Sequence, residues 1–280
     1  MKTSSSKKPL SLNKQVLPGI VWIAADLHLG PDNPATIQDF RAFLDKAQAH
    51  ADALILCGDI FNAWIGDDQT ARPAAWLNEV SQALRQYGEH RRLYLMRGNR
   101  DFLLGQAYAR HVHATLLPDQ ILLDTSAGCI LLSHGDEYCL DDPAYQRFRR
   151  WVRKPWLQAL YLACPLSLRQ RIADTARARS RQGNRYKADS IMDVSPNAIE
   201  HAAATHSIVA LVHGHTHRPA RHAIAGQPGT QRWVLPDWDH PNSHAARGGY
   251  ISIDGTRVCL HQWGQADLCQ TMTTASEQPA

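Results

Sequence analysis

The sequence predicts an α/β fold built on a parallel sheet, with a helical segment inserted late in the chain. Three observations predict it. Short apolar runs alternate with helix-period patterns from residue 20 onward, each run closes in a polar cluster, and the rhythm breaks at 141–194, which reads as helices alone. A βαβαβ opening of this kind favours parallel pairing through right-handed crossovers. The 280 residues, 44% apolar and 20% charged, suffice for one large domain or two smaller ones and exclude wholesale disorder.

Taken in order, residues 1–18 read as a flexible basic tail. Residues 20–25 form a buried strand that ends at Asp26-Leu27-His28. Residues 35–50 place Ile37, Phe40, Phe43, Leu44 and Ala47 at helical spacing. A second strand at 53–57 ends at Gly58-Asp59. A helix at 73–87 turns Trp76, Val80, Leu84 and Tyr87 to one face, and a third strand at 93–96 ends at Gly98-Asn99-Arg100-Asp101. The strand at 129–132 leads into His134. Helices at 143–153, 155–163, 166–181 and 186–194 follow, punctuated by Pro143, Pro155, Pro165 and Gly183. Ser195-Pro196 supplies an N-cap and a first-turn proline for a further helix. A strand at 208–212 ends at His213-Gly214-His215-Thr216-His217, the stretches 220–225, 232–235, 249–254 and 257–263 read as antiparallel strands, and 266–280 reads as a polar tail. The expected organisation is a core of 19–140 and 195–265 interrupted by a helical cap, 141–194.

The net charge of +4 hides an asymmetry. Residues 147–187 carry 12 Lys or Arg and one acid, whereas the rest of the chain holds 18 basic and 25 acidic residues. Such a segment attracts phosphate, nucleic acid or membrane headgroups, or is a solvated helix face. The six cysteines form no C-x-x-C pair and read as reduced thiols of a cytosolic protein. No secretory signal and no run of about 18 apolar residues is found, so the expectation is a protein that is soluble or lies on a membrane surface.

In open α/β sheets ligands gather beyond the carboxyl ends of the strands. The strand-end clusters bring Asp26, His28, Asp59, Asn99, His134, His215 and His217 to that edge. Carboxylate, amide and imidazole donors suit Mn, Fe or Zn, and the absence of thiolates argues against a structural zinc site. Seven donors exceed one tetrahedral ion and match two ions sharing a bridge, about 3.5–4 Å apart.

The series Asp26-x-His28, Gly58-Asp59, Gly98-Asn99-x-Asp101, His134 and Gly214-His215-x-His217 resembles the motifs of the calcineurin-like metallophosphoesterases, over roughly residues 20–263. The resemblance implies a four-layer α-β-β-α sandwich. It assigns Asp26, His28 and His217 to one metal, Asn99, His134 and His215 to the other, and Asp59 to the bridge, with manganese the implied metal. His213 matches no ligand position and reads as supporting or structural.

One departure narrows the substrate. Many members carry His after the Asn ligand, where this chain has Arg100. An alkoxide leaving group needs an acid, whereas a phosphate leaving an anhydride needs charge stabilisation, which Arg supplies in bidentate form. The cap interleaves its basic residues with Trp151, Trp156, Leu157, Leu160 and Leu162, a mixture better suited to anionic lipid than to nucleic acid.

At finer grain, Gly98-Asn99-Arg100-Asp101-Phe102, Asp141-Asp142-Pro143, Pro155-Trp156-Leu157-Gln158 and the stretch 213–219 resemble the UDP-2,3-diacylglucosamine hydrolases of lipid A biosynthesis. That resemblance implies Asn99, Arg100, Asp142, Ser180, Asn184, Lys187 and His215 as substrate contacts, although 184–187 departs from the expected form. It assigns the catalytic work to Asp59, Asn99, Arg100 and His215. The implied reaction is metal-activated attack of water on the α-phosphorus of the UDP-lipid, on the cytoplasmic face of a bacterial inner membrane, with an anionic membrane surface as partner and no nucleic acid or obligate protein partner. A soluble nucleotide or dinucleotide hydrolase of the same superfamily is the alternative within the fold. A scaffold or nucleic-acid-binding module is the alternative outside enzymology.

Overall fold

The computed structural model describes residues 12–184, 193–240 and 245–272, with the backbone alone for 179–184. Along the chain run β1 (Lys14–Leu17), β2 (Val21–Ala24), α1 (Pro34–His50), β3 (Ala53–Cys57), α2 (Ala75–His90), β4 (Arg92–Met96), α3 (Gln106–His111), β5 (Ala114–Leu116), β6 (Gln120–Thr125) and β7 (Gly128–Ser133). Then come α4 (Pro143–Val152), α5 (Pro155–Leu162), α6 (Leu166–Asn184), α7 (Pro196–Thr205), β8 (Ala210–His213), β9 (Ala220–Ala223), β10 (Gln231–Val234), β11 (Gly249–Asp254), β12 (Arg257–Gln262) and β13 (Leu268–Thr271).

Two sheets result. One has seven strands in the order β13-β12-β11-β2-β3-β4-β5, and the other has six in the order β1-β6-β7-β8-β10-β9. The β2-β3-β4-β5 block is parallel, as the crossovers demand, and β11 adds to β2 antiparallel. Strand alternation decides what each face touches. In β2, Val21 and Ile23 join Ile55, Tyr94, Leu132, Val212 and Trp233 in a core between the sheets, while Trp22 and Ala24 face the layer of α1, α2 and α3. In β8, Ala210 and Val212 point into the same inter-sheet core and Leu211 points to Ile199 and Ala203 of α7. Helices, sheet, sheet and helix therefore stack as four layers, and the fully buried side chains contribute roughly 1.5–3 kcal/mol each.

Four sequence expectations need correction. Residues 14–17, assigned to a flexible tail, form β1, which pairs in parallel with β6. Residues 268–271, assigned to the other tail, form β13 against β12. Short edge strands of four residues carry too few apolar positions to register as periodic patterns, and their pairing partners supply the missing stabilisation. The stretch at 231–234 is not purely antiparallel, because β10 runs parallel to β8 and antiparallel to β9. Cys259 and Cys269 are not reduced thiols: the β12–β13 register sets them directly opposite, and they form a disulfide. The other four cysteines form no disulfide among the described residues.

Past β7, α4, α5 and α6 form the expected helical run. Pro143 and Pro155 open α4 and α5 at positions that tolerate a missing N–H. Neither α4 nor α5 contains a buried residue. The expected helix at 186–194 falls largely on 185–192, outside the described residues. Among the described residues no helix is long and apolar enough to cross a membrane.

Candidate metal centre

The strand ends do converge. Beyond β2 and β3 the chains keep pairing: the Asp26 N–H donates to Gly58 O at 3.1 Å and the His28 N–H to Asp59 O at 2.9 Å. In the other sheet, the Gly214 N–H donates to His134 O at 2.9 Å, continuing the β7–β8 pairing. The His215 N–H donates to Asp26 Oδ2 at 2.8 Å, and the Arg100 N–H donates to Asp59 Oδ1 at 2.7 Å. The loops are thus tied to each other through the same carboxylates that line the centre.

The backbone is strained where the chemistry lies. Among the described residues six non-glycine residues have positive φ, and five are Asp26 (54°), His28 (47°), Asp59 (50°), His215 (68°) and His217 (54°). The left-handed region costs an L-residue roughly 1–2 kcal/mol and persists only where surroundings over-determine it.

All seven expected donors sit together. His28 Nε2 lies 3.4 Å from His217 Nε2, and His217 Nε2 lies 3.6 Å from Asp26 Oδ1. Asn99 Oδ1 lies 3.0 Å from His134 Nε2 and 2.7 Å from His215 Nδ1. Asp59 stands between the two groups, with Oδ2 3.9 Å from His28 and Oδ1 3.6 Å from His134. Asp26, His28 and His217 offer one set of ligand atoms within 4.8 Å of each other, and Asp26, Asp59 and His134 offer a second. Asp26 Oδ1 is buried with no hydrogen-bond partner among the described residues, an arrangement a cation would satisfy. The donor set and the orphaned oxygen fit divalent ions.

Electrostatics sort the donors into groups pushed toward and away from charge. Burial pushes the Asp59 carboxyl up to about 7, against the pull of His134. Burial opposes the charged form of His134, but Asp59 and then Asp26 and Asp136 outweigh it and carry the imidazole to about 9. Burial alone would raise Asp26, yet the surrounding imidazoles, His217 foremost, hold it below the usual carboxylate range. Burial lowers His28 to about 3 and His215 to about 4, leaving neutral rings of the kind that ligate metals.

A profile of the calcineurin-like phosphoesterases matches residues 20–219. The UDP-2,3-diacylglucosamine hydrolase of Bordetella parapertussis is 49% identical over 87% of this chain and 95% of its own length. The protein of the same name from Pseudomonas paraeruginosa is 45% identical over 78% and 91%. The chain belongs to the calcineurin-like phosphoesterases, in the family of UDP-2,3-diacylglucosamine hydrolases. It is a hydrolase by that membership. A dimetal phosphatase from Danio rerio, 13% identical, shares the fold with a TM-score of 0.52 over 91% of this chain and 99% of that one.

Around this phosphoesterase centre the expected substrate contacts divide. Arg100 flanks Asp59, and its guanidinium has no hydrogen-bond or ion-pair partner among the described residues. Asp142 caps α4, where its Oδ1 accepts the Tyr145 N–H at 3.0 Å. Ser180 and Asn184 lie on α6 with side chains outside the described residues, and Lys187 lies outside them altogether. His213 is fully buried, with Nδ1 2.8 Å from Gly214 O.

Two residues without an assigned role matter to the site. Buried Asp101 accepts the N–H groups of Gly98, Asp59 and Ile60, so it holds the loop that carries Asp59. Asp136 accepts the Tyr145 hydroxyl and Arg149 Nε, each at 2.7 Å, and so ties α4 to the loop after His134. Tyr145 also stacks on His215, ring centroids 6.0 Å apart. The signal for both acids was their spacing from a ligand: two residues after Asn99 and two after His134.

Proposed function

We propose that this chain hydrolyses UDP-2,3-diacylglucosamine at its diphosphate, giving UMP and 2,3-diacylglucosamine 1-phosphate, on an anionic membrane surface. The observation that carries the reading is the Arg100 guanidinium, unpartnered among the described residues, beside a converged seven-donor cluster. Asp26, His28 and His217 would hold one divalent ion, and Asn99, His134 and His215 the other, with Asp59 between them. Manganese is the metal we expect. Bound there, two such ions would supply water activation and charge neutralisation at the phosphoryl oxygens. Arg100 meets the departing phosphate with a permanent charge and two parallel donors, so no general acid is required. Asn99 and His215 are fixed against each other and orient the same group.

The cap supports the lipid half. Phe148, Trp151, Trp156, Leu160, Leu162, Leu168 and Ile172 are exposed on α4, α5 and α6. Exposed Arg147, Arg150, Lys154 and Arg171 lie among them. Apolar and basic side chains on one surface suit acyl chains and anionic headgroups. The bond to be cleaved and the site's charge agree with a diphosphate, and the cap agrees with its lipid substituent.

The test is UMP release from the UDP-lipid in detergent micelles with Mn2+. Turnover restricted to soluble nucleotides would refute the lipid assignment. Asp59→Asn is expected to abolish turnover while circular dichroism stays native, and a near-normal rate would refute the two-ion reading.

A further inference from the structure

His217 must present one ring nitrogen to the cluster, yet its side chain is 42% exposed and sits on a strained loop. Its Nε2 faces Asp26 and His28. Its Nδ1 faces Asp237 Oδ2 at 3.6 Å. Asp237 lies beyond residues 20–219, the span matched by the phosphoesterase profile, in the segment that follows β10.

That segment is fastened to both ligand loops. The Leu235 N–H donates to His213 O at 2.7 Å, and the Trp238 N–H donates to Asp26 O at 3.0 Å. The buried Trp238 indole donates to Gly249 O at 3.0 Å. Asp237 itself is buried and receives Arg247 Nη2 at 2.9 Å. Arg247 is held in turn, because it exchanges both backbone hydrogen bonds with Asp239, at 3.0 and 2.7 Å. A buried carboxylate with a fixed counter-ion therefore faces the outer nitrogen of an imidazole whose inner nitrogen faces the centre.

We propose that Asp237 is a positioning residue for the metal centre, accepting the His217 Nδ1 proton and so fixing the tautomer and ring angle that turn Nε2 inward. Ligating histidines commonly hand their second N–H to a carboxylate, which orients the ring and raises its basicity. An approach of 3.6 Å is longer than a hydrogen bond, and a ring shift of under about 1 Å closes it. Arg247 serves only to hold the carboxylate in its buried place. The proposal rests on the two-ion reading above.

The measurement is the Mn2+ dissociation constant of the full chain, from the EPR signal of free Mn2+. Asp237→Asn is expected to weaken binding about 10–100-fold, whereas Arg247→Gln should stay within about threefold. Both variants break the same ion pair, but only the first removes the carboxylate from His217. Equal losses in the two variants would mean a merely structural pair and overturn the assignment, as would wild-type affinity in Asp237→Asn. If Asp237→Asn does not fold, Asp237→Glu keeps the charge and displaces it; weakened binding supports the assignment and unchanged binding overturns it. Wild-type protein that takes up no Mn2+, or His217→Ala that binds as tightly as wild type, would instead bring down the two-ion reading itself.

Discussion

Gly98 stands so close to Asp59 that an added Cβ would lie 2.1 Å from Oδ1 and 2.3 Å from the backbone nitrogen. The end of β4 and the end of β3 meet there without space for a methyl group. Gly214 is packed against Asp26 in the same way, with 2.3 Å from an added Cβ to Oδ2. Glycine at these positions is a requirement of close approach between ligand loops. Gly98→Ala is expected to displace the Asp59 carboxylate and lower kcat by at least about 100-fold, the cost of an ångström-scale misplacement. Steady-state kinetics beside a wild-type-like circular dichroism spectrum checks it.

Arg169 of α6 is 2% exposed and reaches across to the loop at 65–68. It donates to Ile65 O at 2.5 Å, to Cys164 O at 2.9 Å and to both carboxylate oxygens of Asp68. Arg169→Met removes the arginine donor from the buried Ile65 carbonyl and should destabilise the protein by about 2 kcal/mol. Asp68 is half exposed, so Asp68→Asn should cost under about 1 kcal/mol. Urea unfolding gives both values. Limited proteolysis should cleave between 143 and 178 sooner in Arg169→Met than in wild type.

The Cys259–Cys269 bond ties edge strand β13 to β12 across a sequence separation of 10. Closing a loop of that size stabilises by about 2–3 kcal/mol. Cys269→Ser should lower the denaturation midpoint accordingly. Alkylation of unfolded, unreduced protein should label four cysteines, those at 57, 129, 139 and 164. Labelling of all six would mean the pair is not formed in solution.

Ions that bind the folded centre alone stabilise it by mass action. Mn2+ at about 100 times its Kd should add about 2.7 kcal/mol per ion. For a chain of 280 residues that raises Tm by about 4–5 °C per ion. EDTA should reverse the shift, and Asp26→Ala should abolish most of it. Differential scanning calorimetry reads both.

By itself the sequence determined the layer-forming elements, the donor types at each strand end and the place of the helical insertion. These are local properties: a strand or helix announces its buried face through a period of two or 3.6, and Asp26, His28, Asp59 and Asn99 lie next to the apolar runs that carry them. Only the tertiary structure decided the rest. Strands β1 and β13 exist because β6 and β12 accept them, and Cys259 meets Cys269 because one register out of several was selected. The positive φ of five donors is imposed by neighbouring loops, so no residue type betrays it. Asp237 reaches His217 from twenty residues downstream because the segment after β10 crosses the strand ends, a contact that no local pattern encodes. Pairing and approach across sheets depend on the packing of the whole chain, whereas periodicity reports only the burial of each segment.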